Sequence, residues 1–383
     1  MLNKNYYVNI FFFILFILCF NEPIIRTSLT LCENTRNNLS LFNELIEKNR
    51  FFLKVILSIY IIHNISFIKN VIDKLKFIYF YYALLFIFSL ILNDIKQNLI
   101  IFLNSFLFLN LIIVFYLKFN QKNLFKLIYI YLLIIISLSS LEIIFNLSDY
   151  YIVCEINFTK LNIAGFTLSK NQLGLFIFLF NFLHFFVFNQ TNKKFINFSL
   201  TLYSIIFLIY IDSITSLFIT LLLYSIFFLK KKKESFFIFI FVLLLFIFYF
   251  NSDFLLDLVG RDQTLTGRIN VWFDIDIRNN LNFLFGNGLG KSKFTLVDNA
   301  YLISLYELGL ILTIIYFIWI FVNSNFIFDR INIIFFTSLV YSITEGGTLI
   351  YSNTFYVLIL ISIYLKKKLF YLNEKNSSFN NKF

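Results

Sequence analysis

Residues 251–309 hold the side chains best suited to chemistry, and arginine is the first of them. Arg261, Arg268 and Arg278 are three of seven arginines in a chain that otherwise draws its positive charge from 25 lysines. A planar guanidinium makes paired hydrogen bonds to phosphate oxygens that an ammonium cannot, so this placement points to an anionic ligand. The plainer alternative is a set of surface salt bridges. For Arg278 that alternative has a partner, because Asp274 lies four residues earlier at helical spacing. Arg268, which follows Thr266-Gly267, has Trp272 four residues on instead, and is the stronger ligand candidate. Asp298 and Asn299 stand just before an apolar run, where either is an ordinary helix N-cap. A carboxylate held there can also accept a proton from a substrate hydroxyl. Glu307, farther along the same run, joins His63, Glu142 and His184 as the ionisable groups set within apolar sequence.

Between the arginines and Asp298 lies G-N-G-L-G-K-S at 286–292. It is not a Walker loop, since Phe285 stands where the first glycine belongs. The turn around Gly286 and Gly288 still offers backbone N–H groups to a phosphate or sugar, and its plain reading is a tight return to the membrane. Residues 267–285 put Ile269, Trp272, Phe273, Ile277, Leu281 and Leu284 near one helical face, with Asn270, Asp274 and Arg278 on another. That pattern predicts an amphipathic helix lying on the membrane surface, with Trp272 at headgroup level.

The elements that must position these groups are apolar. Hydrophobic residues make up 60% and charged residues 14% of the 383, against roughly 45–50% and 25% in soluble domains. Solid apolar runs, without the alternation of a β-barrel, predict an all-α polytopic membrane protein. They fall at about 6–20, 51–68, 77–92, 99–117, 124–145, 172–188, 195–211, 213–229, 235–250, 301–322, 331–345 and 349–365, which makes about twelve spans. The first run has no small-residue cleavage site after it and reads as an uncleaved helix. With the N-terminus inside, Lys69/Lys74/Lys76, Lys118/Lys122/Lys126, Lys193/Lys194, Lys230–Lys233 and Lys366–Lys368 all become cytoplasmic. Both termini are then cytoplasmic. The net charge of +11 is therefore a topology signal and not a nucleic-acid footprint.

The chain divides accordingly into residues 1–250 with nine helices and outward loops near 21–50 and 146–171, an outward loop at 251–300, and residues 301–383 with three helices and a cytoplasmic tail. Leu39–Arg50 in the first loop reads as a short interfacial helix. Six of seven arginines fall on outward loops, against the charge bias that sets topology, and only Arg330 lies inside. Chemistry on that face has no access to cytosolic nucleotide. The three cysteines show no metal-ligand spacing, and pairing of Cys32 with Cys154 stays open. Neither an acidic ladder nor a repeated half, as in coupled carriers, is present in the sequence.

Three stretches in order, T-G-R-I-N-V-W, F-G-N-G-L-G and D-N-A-Y-L-I-S-L-Y-E-L-G-L, resemble the signature region of the bacterial O-antigen polymerase and O-antigen ligase superfamily. G-F-T-L-S-K-N-Q-L-G at 165–174 is similar to that family's entry to the next helix. The resemblance implies a GT-C-like membrane glycosyltransferase in the bacterial inner membrane, acting on undecaprenyl-pyrophosphate-linked oligosaccharide, with no cofactor or metal. The lipid bilayer is its setting and a chain-length regulator a partner. By position, Arg268 would contact the pyrophosphate and Asp298 would take the place of the ligases' catalytic histidine, which favours polymerase over ligase. Two family arginines are missing: Lys160 is the nearest cation to one position, and I-D-S-I-T-S-L occupies the other. Lys160, Lys170 or the first-loop arginines would then complete the anion site. A ligase, or in another class a lipid-linked oligosaccharide flippase, is the alternative.

Overall fold

The computed structural model describes residues 4–21, 41–91, 95–145, 152–155, 158–161, 170–188, 194–211, 213–228, 280–289, 300–324, 333–342 and 354–380. Nearly all of them are helical. Among the described residues, four apolar stretches have the length and composition to cross a bilayer: Ile65–Ile91, Ile95–Phe119, Gln121–Glu142 and Tyr301–Trp319. At about 1.5 Å per residue the 25 residues of Ile95–Phe119 reach beyond the roughly 30 Å hydrocarbon core. Shorter apolar helices cover Tyr6–Phe20, Asn171–Val187, Phe195–Tyr210 and Thr215–Ser225. Contacts divide the chain into two units: residues 1–75, 107–216 and 353–383, and residues 76–106 and 217–352.

The first unit opens with α1 (Lys4–Phe20) and α2 (Leu41–His63). The interfacial helix expected at Leu39–Arg50 and the span expected from residue 51 are one continuous helix. Nothing between Asn49 and Phe51 can break it, having neither proline nor glycine. The break comes instead at Asn64, whose buried amide donates to the Tyr60 carbonyl at 2.8 Å and competes with the helix ladder. After it come α3 (Ile65–Ile72) and a 3₁₀ turn at Asp73–Leu75, so the lysine-bearing loop expected near 69–76 is largely helical. The second unit's α4 (Lys76–Ile91) follows directly.

α5 (Ile95–Phe119) and α6 (Gln121–Ile144) turn on the single residue Asn120, at φ 59°. Asparagine tolerates this left-handed conformation better than other non-glycine residues. Next, β1 (Ile152–Glu155) pairs antiparallel with β2 (Phe158–Leu161), Val153 opposite Lys160. This is a small ladder inside the expected 146–171 loop, and it places Lys160 on a strand. α7 (Lys170–Phe182) runs into a π turn at Leu183–Val187, closed by Phe188 N–H donating to Leu183 O at 2.9 Å. α8 (Lys194–Tyr210) and α9 (Ile214–Phe228) are separate helices.

The first unit's core is aromatic where α1 meets α5. Phe16 lies 5.4 Å from Phe108 and 5.5 Å from Phe115, and Phe13 lies 5.4 Å from Phe115. Such pairs add about 0.5–1.5 kcal/mol each beyond burial. Leu173–Phe185 is buried on every side, the mark of a helix enclosed by others. Gly174 lets α7 approach the start of α9, because a Cβ there would meet the Ser213 hydroxyl and lie 2.7 Å from Ser216 Cβ. Alanine's better helix propensity is worth about 1 kcal/mol, less than the 1–3 kcal/mol typical of overpacking. Gly174→Ala is therefore expected to lower the thermal unfolding midpoint in detergent, and a raised midpoint would refute the close contact.

The second unit contains α4, the first turns of α5, α9 from Leu217 onward, α10 (Asn280–Phe285), α11 (Ala300–Ser324) and α12 (Ile333–Tyr341). The first unit's α13 (Thr354–Asn380) closes the chain, buried from Thr354 to Leu365 and continuing helical past the exposed Lys366 and Lys368. α11 is not the straight tenth span the sequence predicts. At Gly309 the backbone takes φ 73°, ψ 174°. The Tyr301 and Phe317 rings stack at 4.3 Å, whereas sixteen residues of straight helix would separate them by about 24 Å. α11 folds back at Gly309 into a helical hairpin, with arms 300–308 and 310–324, so Tyr301–Trp319 meets the length and composition of a span without being one straight helix. The Tyr301 hydroxyl donates to Leu339 O at 2.9 Å and ties the first arm to α12. The second arm meets α4 through Tyr316 and Tyr81, 6.4 Å apart.

Candidate functional site

Of the residues singled out by sequence, the structure brings Gly286, Gly288 and Glu307 together. Arg261, Arg268, Arg278, Asp298 and Asn299 lie outside the described residues. So does the proposed surface helix 267–285 except for Asn280–Phe285, which is helical. Lys160 sits on β2 and Lys170 is the first residue of α7, both in the first unit. Cys32, the candidate partner of Cys154, also lies outside the described residues.

The glycine turn and the α11 hairpin form one junction. Gly309 cannot continue the helix, so the last carbonyls of the first arm need other donors. The turn supplies them. Asn287 N–H donates to Tyr306 O at 2.8 Å and Gly288 N–H to Glu307 O at 3.2 Å. The Asn287 side-chain amide adds a second bond to Tyr306 O at 3.1 Å. Backbone meets backbone here because both partners lack side chains. A Cβ on Gly286 (φ 84°) would strike the Glu307 carbonyl and lie 2.7 Å from Gly309 N. One on Gly309 would lie 2.5 Å from Gly286 N and from Phe285 C. The stretches F-G-N-G-L-G and Y-L-I-S-L-Y-E-L-G are thus in direct contact.

Glu307 is 1% exposed, and its carboxyl belongs to the interior, not to an aqueous boundary. Ser304, one turn earlier on the same arm, is equally buried, and its hydroxyl has no hydrogen-bond partner among the described residues. The sequence offered only Glu307; a serine in an apolar run carried no signal. Phe285 packs on Phe88 of α4 at 5.6 Å. Beyond the turn, Leu289 N–H donates to Asn98 Oδ1 of α5 at 2.8 Å, a residue that sequence reasoning passed over altogether.

His184 has a satisfied role in the first unit. Tyr129 hydroxyl meets its Nδ1 at 3.2 Å and Asn197 Oδ1 its Nε2 at 3.0 Å. With Asn197 Oδ1 accepting, Nε2 carries the proton and Tyr129 donates to Nδ1. The pattern fits a neutral structural histidine bridging α6, the π turn and α8. Among the described residues no three His, Cys, Asp or Glu side chains converge as a metal site.

The turn's Asn287, Gly288 and Leu289 N–H groups are engaged by protein acceptors, so the junction works as an internal brace for the arm that carries the buried Glu307. In sequence the arginine-rich segment precedes it and Asp298 lies between its two halves. No protein-family model, curated protein or solved structure matches this chain.

Proposed function

We propose that the chain is a twelve-span membrane glycosyltransferase that polymerises undecaprenyl-pyrophosphate-linked oligosaccharide repeats into a surface polysaccharide. The observation that carries the reading is the junction itself. Two stretches that resemble the polymerase and ligase signature, centred 23 residues apart at Gly286 and Gly309, meet backbone to backbone. The helix-end contacts support the lysine-derived topology as well. Asn98 meets Leu289, and Phe88 meets Phe285, at ends assigned to the outer face. Lys118 lies 4.2 Å over the Phe67 ring, both at ends assigned to the cytoplasmic face.

In this reading an acceptor hydroxyl attacks the anomeric carbon of the lipid-linked chain. A carbon–oxygen bond forms as the bond to the pyrophosphate oxygen breaks, and the lipid pyrophosphate leaves with the electron pair. Asp298 takes the hydroxyl proton. Arg268 neutralises charge on the departing pyrophosphate. Arg261 and Arg278 are further candidates for the anion, and Asn299 for the sugar.

The test is complementation of a strain deleted for this chain with Arg268→Ala and Asp298→Asn. Loss of long glycan with single-repeat material retained is expected for both variants. Normal ladders from both would remove the site assignment. The topology has its own check in a cysteine-free background. Gln263→Cys is expected to react with an impermeant maleimide from outside, and Lys231→Cys only after permeabilisation. The reverse pattern would invert the orientation.

A further inference from the structure

We propose that Asn98 is a positioning residue for elongation, holding the glycine turn so that the first arm of the α11 hairpin is fixed in place. The role rests on the polymerase reading above, but the contact does not. Asn98 is wholly buried at 0% exposure, on the first turn of α5. A buried amide is kept only where its polar atoms are bonded. Its Oδ1 accepts the Leu289 N–H at 2.8 Å across 191 residues of sequence. Leu289 is itself 2% exposed, so no bulk water can replace that acceptor.

The consequence runs along the chain in three steps. The Asn98 bond fixes Leu289, and Leu289 directly follows Gly288. Gly288 and Asn287 in turn cap the Glu307 and Tyr306 carbonyls, which the break at Gly309 leaves without helical donors. The arm they cap carries the buried Glu307 and begins at Ala300, two residues after Asp298. One acceptor on α5 therefore sets the placement of Glu307 and of the arm that follows Asp298. In this role Asn98 acts through the turn.

A merely structural role and a positioning role differ in what a shape-conserving variant does. Asn98→Leu keeps the branch at Cγ, with somewhat greater bulk, and lacks the acceptor. Asn98→Asp keeps an acceptor oxygen at the same position. Full-length wild type and both variants, purified into lipid nanodiscs, are compared for elongation of lipid-linked repeats and for hydrogen exchange at the Leu289 amide. Asn98→Leu is expected to lower kcat on the order of 10²-fold, the effect of a misplacement near 1 Å, with KM nearly unchanged. Its Leu289 amide exchanges faster while the rest of the chain keeps its protection, and Asn98→Asp restores both. Normal kcat in Asn98→Leu alongside an active wild type overturns the positioning role and leaves the polymerase reading standing. Unchanged Leu289 exchange in Asn98→Leu overturns the contact itself. If the wild type does not elongate, the polymerase reading falls and the positioning role with it; the exchange data then still report the contact.

Discussion

Arg268→Ala is expected to slow chain elongation by about 10²–10³-fold, the usual consequence of removing one preorganised donor from a developing negative charge. The substitution removes a planar donor pair that lysine does not replace, so Arg268→Lys should recover only part of the rate. Arg278→Ala should do much less, because Asp274 at helical spacing already offers that guanidinium a partner. Rates of ladder growth in membranes carrying each variant at equal abundance measure this. Equal losses at Arg268 and Arg278 would mean that the arginines act as a diffuse field and not through one contact.

The second large effect is at the hairpin. Gly309→Ala must hold a side chain at φ 73°, ψ 174°, a region that is essentially glycine's own and costs of order 1–3 kcal/mol for other residues. The added Cβ would also meet the backbone of Phe285 and Gly286. Gly286→Ala has the same difficulty from the other side, against the Glu307 carbonyl. Because the obstacles are backbone atoms, no rotamer change relieves them. Each variant is expected to lose elongation and to unfold several degrees earlier in detergent. The double variant should lose less than the sum of the two, since the clash at the junction is shared while the backbone strain at each glycine is its own. Additive losses would show that the two glycines are not in contact.

The helical, membrane-compatible class was readable from the apolar runs, because lipid demands long stretches of uninterrupted hydrocarbon. Most helices lie within a few residues of those runs. Interruptions were harder. Asn64 breaks a helix through its own side chain, and Asn120 turns one by accepting a left-handed backbone, yet asparagine is so common here that neither stood out. Phe13, Phe16 and Phe115 pack the joint between α1 and α5, and nothing local marks them out among 57 phenylalanines. Gly309 was seen as part of a signature and not as a fold-back, since a glycine inside an apolar run is compatible with a straight span. Of the site, Gly286, Gly288 and Glu307 were legible as a motif. Asn98 was not, because its partner lies 191 residues away and donates only a backbone N–H. No local pattern records such a bond.

The reading as a whole stands on one reaction, which reconstitution tests most directly. The full-length chain is purified into liposomes with lipid-linked repeat units, with nucleotide and divalent metal omitted. The products are resolved by length. A ladder of multiple repeats, with one undecaprenyl pyrophosphate released per new linkage, is the predicted result. Repeats that keep their starting length, whether left in place, moved across the bilayer or passed once to another acceptor, would contradict it.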